Sequence, residues 1–243
     1  MPYVMKIVTA GKTVEVEKHF SARYGKRCQR SENRAPTSEE QLEINLKKAE
    51  ATLRRLLNAN FYLGDWHLVL GYKRTYNRTP HDARQDLEKF LRAYRAYCRE
   101  QGIPIRYITV TEYENKRIHH HLVLGAVPMA VLYQMWPYGR PHITPLDSSG
   151  NYAQLASYLI KETSRTFSKP GAATRKRWTQ SKGLKKPVVK YKIIPADKWV
   201  KEPRPKKGYY IPKDSIVSGV DDFTGMPYQR YIMISTSHPR AGP

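Results

Sequence analysis

Apolar residues recur along the chain with two periods, and the switches between them mark its elements. Near the N-terminus VMKIVTAGKTVEVEKHF alternates and predicts a short hairpin turning at Ala10-Gly11-Lys12, followed by a charged linker, SARYGKRCQRSENRAPT. From Ser38 the period lengthens to that of a helix. SEEQLEINLKKAEATLRRLLNANF sets Leu42, Ile44, Leu46, Ala49, Leu53, Leu56 and Leu57 in one broad stripe. Thr37 or Ser38 caps it, and Glu39 and Glu40 suit the dipole of its first turn. Trp66 to Tyr72, WHLVLGY, reads as a strand. DARQDLEKFLRAYRAYCREQG enters a helix behind Pro80, spaces Leu87, Phe90, Leu91, Tyr94 and Cys98 at helical intervals, and stops at Gly102. IRYITVTEY is the next strand, and a turn at Glu114-Asn115-Lys116 returns the chain antiparallel through Ile118 to Leu124. PMAVLYQMW predicts a short helix, PHITPL an edge strand, and NYAQLASYLIKET a longer helix within Gly150 to Thr163. SIVSGVDDFTGMPYQRYIMI predicts a hairpin in a Pro-rich tail.

This order implies an α+β fold, an antiparallel central sheet with helices packed on one face. It divides the chain into a basic N-terminal segment (1–37), a main domain (38–192) and a Pro-rich C-terminal extension with a β-hairpin (193–243). Composition sharpens the functional class. The 243 residues are 40% apolar, enough for a core, but carry 43 Lys and Arg against 21 Asp and Glu, a net charge of +22. Such an excess points to a polyanionic partner, with nucleic acid first, and the 18 tyrosines offer faces for unpaired bases. Arg165 to Lys192 contains ten basic residues and no acid. Two cysteines, Cys28 and Cys98, form no CxxC pair, so neither a zinc knuckle nor a disulfide framework is indicated, and a reducing compartment suits them. No apolar run approaches the roughly 20 residues of a membrane span, and MPYVMKIVTAGK lacks the pattern of a signal peptide. The expectation is a cytoplasmic protein with no membrane partner.

The chemistry gathers at Arg117 to Gly125, RIHHHLVLG. On a strand, alternate residues share a face, so His119 and His121 point one way with Val123, while His120 joins Ile118, Leu122 and Leu124. If the apolar set meets the helices, the outer imidazoles look onto an open sheet face. Two neighbouring imidazoles can ligate one divalent ion, and a carboxylate across the turn, Glu112 or Glu114, can add a third donor. Glu112 is the better placed, since Glu114 falls in the turn. Mg, Mn or Zn would suit the donors. On the later helix, Tyr152, Ala153, Leu155, Ala156, Leu159 and Ile160 share an apolar arc. Tyr158 lies roughly 140° from its centre, with Lys161 one turn on.

The HHH strand, the upstream Thr111-Glu112-Tyr113 and Tyr158-Leu-Ile-Lys161 together resemble the motifs of the HUH endonucleases, the rolling-circle replication initiators of phages, plasmids and single-stranded DNA viruses. HLVLGY (His67 to Tyr72) resembles that family's first strand, and Thr174 to Pro187 its basic stretch in the phage and plasmid branch. His120, where the family usually has a bulky apolar residue, is a departure. The resemblance implies a palm like that of RNA-recognition domains. It implies a Mg2+ or Mn2+ ion on His119, His121 and Glu112, and Tyr158 as nucleophile with Lys161 beside it. The reaction implied is transesterification of single-stranded origin DNA that leaves a 5′-phosphotyrosine link and a free 3′-OH. One catalytic tyrosine is expected, because Tyr152 and Tyr158 fall on different faces. Arg175, Lys176, Arg177, Trp178, Lys182, Lys185 and Lys186 would hold DNA. With no GxxxxGK loop, a host helicase and polymerase would be the partners, and no small-molecule substrate is implied. Two alternatives compete: a noncatalytic nucleic-acid-binding protein, and a transposase or relaxase of the same superfamily. Relaxases usually place the tyrosine before the histidines; Tyr158 follows them.

Overall fold

A computed structural model describes residues 3–21, 24–25, 38–113, 117–167, 176–195, 202–222 and 224–237, with the side chains of 165–167 excepted. Cys28, Thr37, Arg175, most of the charged linker and the turn at Glu114 to Lys116, with the alternative ligand Glu114, lie outside these residues. The chain divides into two compact units, Leu46–Lys185 and a second formed by Met1–Asn45 with Lys186–Pro243.

The Leu46–Lys185 unit is built on a five-stranded antiparallel sheet in the order β6-β3-β5-β4-β7. Its strands are β3 (Trp66–Leu70), β4 (Tyr107–Glu112), β5 (His119–Leu124), β6 (His142–Pro145) and β7 (Thr179–Gln180). Its helices are α1 (Glu39–Asn60, entering from the other unit), α2 (Pro80–Glu100), α3 (Met129–Met135) and α4 (Ala153–Phe167). α2 starts on a reciprocal cap: Asp82 N donates to Thr79 Oγ1 at 3.2 Å and Thr79 N to Asp82 Oδ2 at 3.3 Å. Pro80 fills a first-turn position, where no N–H is needed. Gly102 follows the helix with φ 65°, a conformation that favours glycine. The expected face, Leu87, Phe90, Leu91, Tyr94 and Cys98, is buried. β6 sits at the sheet edge, as PHITPL predicts.

The α+β class stands, but the helices cover both faces of this sheet. Leu68, Leu70, Tyr107, Leu122 and Leu124 pack against α2 and α3. Ile108, Val110 and Val123 pack against Leu53, Leu56 and Leu57 of α1 and Ala156, Leu159 and Ile160 of α4. The expectation of one covered face is thereby corrected: β4 and β5 carry apolar residues in both phases, the mark of strands buried on two sides. The stripe on α1 is shorter than expected. Leu42 and Ile44 are 37% and 44% exposed. Both lie in the part of the helix, up to Asn45, that falls outside the Leu46–Lys185 unit.

The other unit is a second antiparallel sheet, β10-β11-β2-β1-β8, with β9 on β11. β1 (Tyr3–Ala10) and β2 (Thr13–Phe20) form the expected hairpin around Gly11, φ 55°. β10 (Val217–Val220) and β11 (Pro227–Ser235) form the expected second hairpin. β8 (Val188–Ile194) pairs with β1, β11 pairs with β2, and β9 is Tyr209–Tyr210. Segments assigned from sequence to the N-terminal stretch, the main domain and the tail therefore share one sheet, and the two compact units do not follow that linear division.

Candidate functional site

β5 is a central strand, paired with β3 on one side and β4 on the other. The register sets Glu112 opposite His119, Val110 opposite His121, and Val69 opposite His121 from the other side. His67, Val69 and Gly71 therefore share the face of His119 and His121. Gly71 gives the imidazole room: a Cβ there would stand 3.3 Å from His119 Cδ2. α4 crosses this face, its start pinned to α1 where Tyr152 N donates to Asn58 Oδ1 at 2.9 Å. The apolar arc of α4 faces the sheet, and Tyr158 stands at its rim, 42% exposed.

Tyr158 is brought onto the imidazoles. Its ring meets His121 edge-on, centroids 5.3 Å apart, and His67 at 6.3 Å, while His67 and His121 stack at 6.0 Å with 17° between their planes. The three rings form one cluster. This face is not open, as the sequence suggested: His121 is 3% and Glu112 5% exposed, because α4 covers them. Tyr152, by contrast, is buried, and its hydroxyl donates to the Asp147 carbonyl at 3.2 Å.

The middle histidine belongs to the other face. His120 is fully buried, and both ring nitrogens are engaged: Nε2 with Tyr72 Oη at 3.0 Å and Nδ1 with Thr111 Oγ1 at 2.9 Å. Burial first, and then His121 and His119, hold its pKa down to about 3. It is a neutral core group. His121 is also held neutral, its pKa pushed down to about 4 by burial and then by His67 and His119. Both of its nitrogens, however, are buried with no hydrogen-bond partner. Nε2 of His67 is in the same condition, and burial together with His142 lowers its pKa to about 4. Neutral imidazoles with idle lone pairs are what a cation requires.

Among the described residues, no three His, Cys, Asp or Glu donors already converge on one point. The donor chemistry nevertheless fits a divalent ion: unpartnered nitrogens on His121, with His119 two residues away and a buried carboxylate, Glu112, across from it. The phenol itself is not primed. Burial, then Glu162 and Glu112, raise the Tyr158 pKa, so ionisation needs a positive charge nearby. Lys161 is exposed one turn along α4.

Lys176, Arg177 and Trp178 line a cavity with Arg84 and Glu88 of α2 and with Thr109, Thr111 and Tyr113. Those last three alternate onto the face opposite Glu112. Trp178 is half-buried, packs against the α1–α4 cluster and donates to Gln180 Oε1 at 3.1 Å. Lys182, Lys185 and Lys186 are exposed, and Asn60 holds the Lys185 backbone through both its N–H (2.7 Å) and its carbonyl (2.9 Å). Arg175 lies outside the described residues.

Residues 70–164 match the model of a family described as Replication-associated protein ORF2/G2P. No curated protein and no solved structure matches the chain. The segment matching the replication-associated family takes in Glu112, His119, His121, Tyr158 and Lys161 and leaves out His67 and the basic residues from 175 onward. His67 was read from sequence only as the start of a strand, HLVLGY, that resembles the first strand of the HUH family, with no chemical role. Its parity with His121 across the single antiparallel β3–β5 pairing could have singled it out, had that register been known.

Proposed function

We propose that this chain initiates DNA replication as a single-tyrosine nickase and ligase of single-stranded origin DNA. His119, His121 and Glu112 would hold a divalent cation, Mg2+ or Mn2+, which when bound supplies Lewis-acid polarisation of the scissile phosphate. Tyr158 Oη gives up its proton and attacks phosphorus in line. The Oη–P bond forms and the P–O3′ bond breaks. The departing oxygen takes a proton and becomes a free 3′-OH. The 5′ end remains on Tyr158 as a phosphodiester, so attack by a 3′-OH reverses the step and rejoins the strand. Lys161 offers positive charge to the phenolate or to a phosphate oxygen, offsetting the acids that disfavour ionisation. Lys176, Arg177, Lys182, Lys185 and Lys186, with Arg175, neutralise phosphates away from the reacting bond. A host polymerase extends the 3′-OH and a host helicase unwinds, in the cytoplasm of a bacterial host.

The observation that carries this reading is the edge-on contact of Tyr158 with His121, 5.3 Å between centroids, inside the segment that matches a replication-associated family. Tyr152 offers no rival nucleophile, since its hydroxyl is committed to Asp147. The test incubates labelled single-stranded origin DNA with the protein and Mn2+ or Mg2+ and separates the products on a denaturing gel. A covalent adduct that disappears with Tyr158→Phe and with chelator supports the nickase. DNA retention without adduct under either metal supports a binding module instead.

A further inference from the structure

His67 lies outside the matched segment 70–164, yet its ring touches both His121 and Tyr158. Its Nε2 is buried and has no hydrogen-bond partner. A leucine or phenylalanine would fill the same space without burying an idle polar atom. The nitrogen therefore has use for a partner that arrives with the reactants. That partner is not the cation proposed at His119 and Glu112. His67 is paired with Val123, four residues along β5 from His119, which is about 13 Å at the rise of a strand. With a further strand spacing between them, the two imidazoles cannot share one ion. His67 reaches only His121 of the proposed ligands, and on the DNA chemistry proposed for Tyr158 the other reactant that comes to this place is the phosphate anion.

We infer that His67 binds the DNA strand itself, its Nε2–H donating to a non-bridging phosphate oxygen as Tyr158 leaves its place over the two imidazoles. This rests on the DNA chemistry proposed for Tyr158. His67 also sets the resting position of the phenol, because its ring and that of His121 together flank the edge of Tyr158.

The test uses the full chain carrying Tyr158→Phe, so that no strand is cut. Fluorescence anisotropy measures binding of an oligothymidylate of about twelve nucleotides, once with ordinary phosphates and once as the uncharged methylphosphonate. Adding His67→Phe, which keeps the ring and loses the nitrogens, is expected to weaken binding of the phosphate oligomer about tenfold. His67→Gln, which keeps an N–H, should stay within about threefold. The methylphosphonate should bind all three proteins alike. Equal binding of the phosphate oligomer by the His67 and His67→Phe proteins, or the same loss on both oligomers, overturns the inference. If His67→Phe fails to fold, nitrogen-15 NMR of the native imidazole decides. The His67 Nε2–H signal should shift with the phosphate oligomer and not with the methylphosphonate, and no shift overturns the contact. Failure of the nickase reading is separately visible, as the absence of adduct from the unmodified chain.

Discussion

Strand β5 places two kinds of histidine one residue apart. His120 faces α2 and α3, fully buried, with each nitrogen hydrogen-bonded. His121 faces α1 and α4, nearly as buried, with neither nitrogen bonded. Both are neutral, and both are surrounded by aromatic rings. The difference is whether the lone pairs are spent. A satisfied buried imidazole is a structural group, whereas an unsatisfied one beside a phenol carries an energetic debt that a ligand can settle. Strand parity in the sequence set the two on opposite faces, but burial alone would have treated them alike.

The largest expected effect comes from the unsatisfied face. His121→Phe, and likewise His119→Ala, should lower single-turnover adduct formation by about 10³-fold or more. For His121→Phe the melting temperature should hold or rise, because the change removes two idle buried nitrogens. His120→Leu should invert that result. It strands Tyr72 Oη and Thr111 Oγ1, and a loss of about 2–3 kcal/mol is expected in a urea titration, with the cleavage rate per folded molecule nearly intact. A His120 variant that is stable but dead would break the distinction.

Acid titration probes both faces together. His120, His121 and His67 hold folded pKa values near 3, 4 and 4, against about 6.5 in an unfolded chain. The unfolded chain binds protons first as pH falls, so their contribution to stability is intact above pH ~6.5 and is lost between there and about pH 4 for His121 and His67, and about pH 3 for His120. Melting temperatures across that window should drop, and His121→Phe should drop less steeply. The smallest effect is expected from Lys161→Ala: adduct formation slowed by less than about tenfold, with no change in melting temperature. No slowing at all would remove the lysine from the part proposed for it beside the phenolate or phosphate.

Much of the fold was legible where the signal is local. The Pro80 entrance and buried face of α2, the β4–β5 hairpin and the α3 helix follow from such local patterns, whereas Tyr158, expected on the polar side of α4, reaches the sheet histidines. The single covered face was a misreading of a signal already present. Ile108, Val110 and Val123 alternate in phase with Glu112 and His121, so the histidine face had to be buried as well, and α4 supplies the cover. Leu42 and Ile44 continue a helical period yet are exposed, which periodicity cannot reveal. The second sheet joins β1 and β2 to β8 and β11, strands far away in sequence, and no local pattern announces such pairing. The same blindness to register hid His67. Lys176, Arg177 and Trp178 were read as DNA-holding residues; that β7 pairs with β4 and draws them to the sheet edge beside α2 could not be read from a local pattern.

The most direct measurement is an anomalous difference map at the manganese edge, from crystals grown with Mn2+. One peak is expected among His119, His121 and Glu112, on the side of the sheet that Tyr158 overhangs. A peak elsewhere, or none at this cluster with the ion in excess, would contradict the assignment of this face to metal-assisted chemistry.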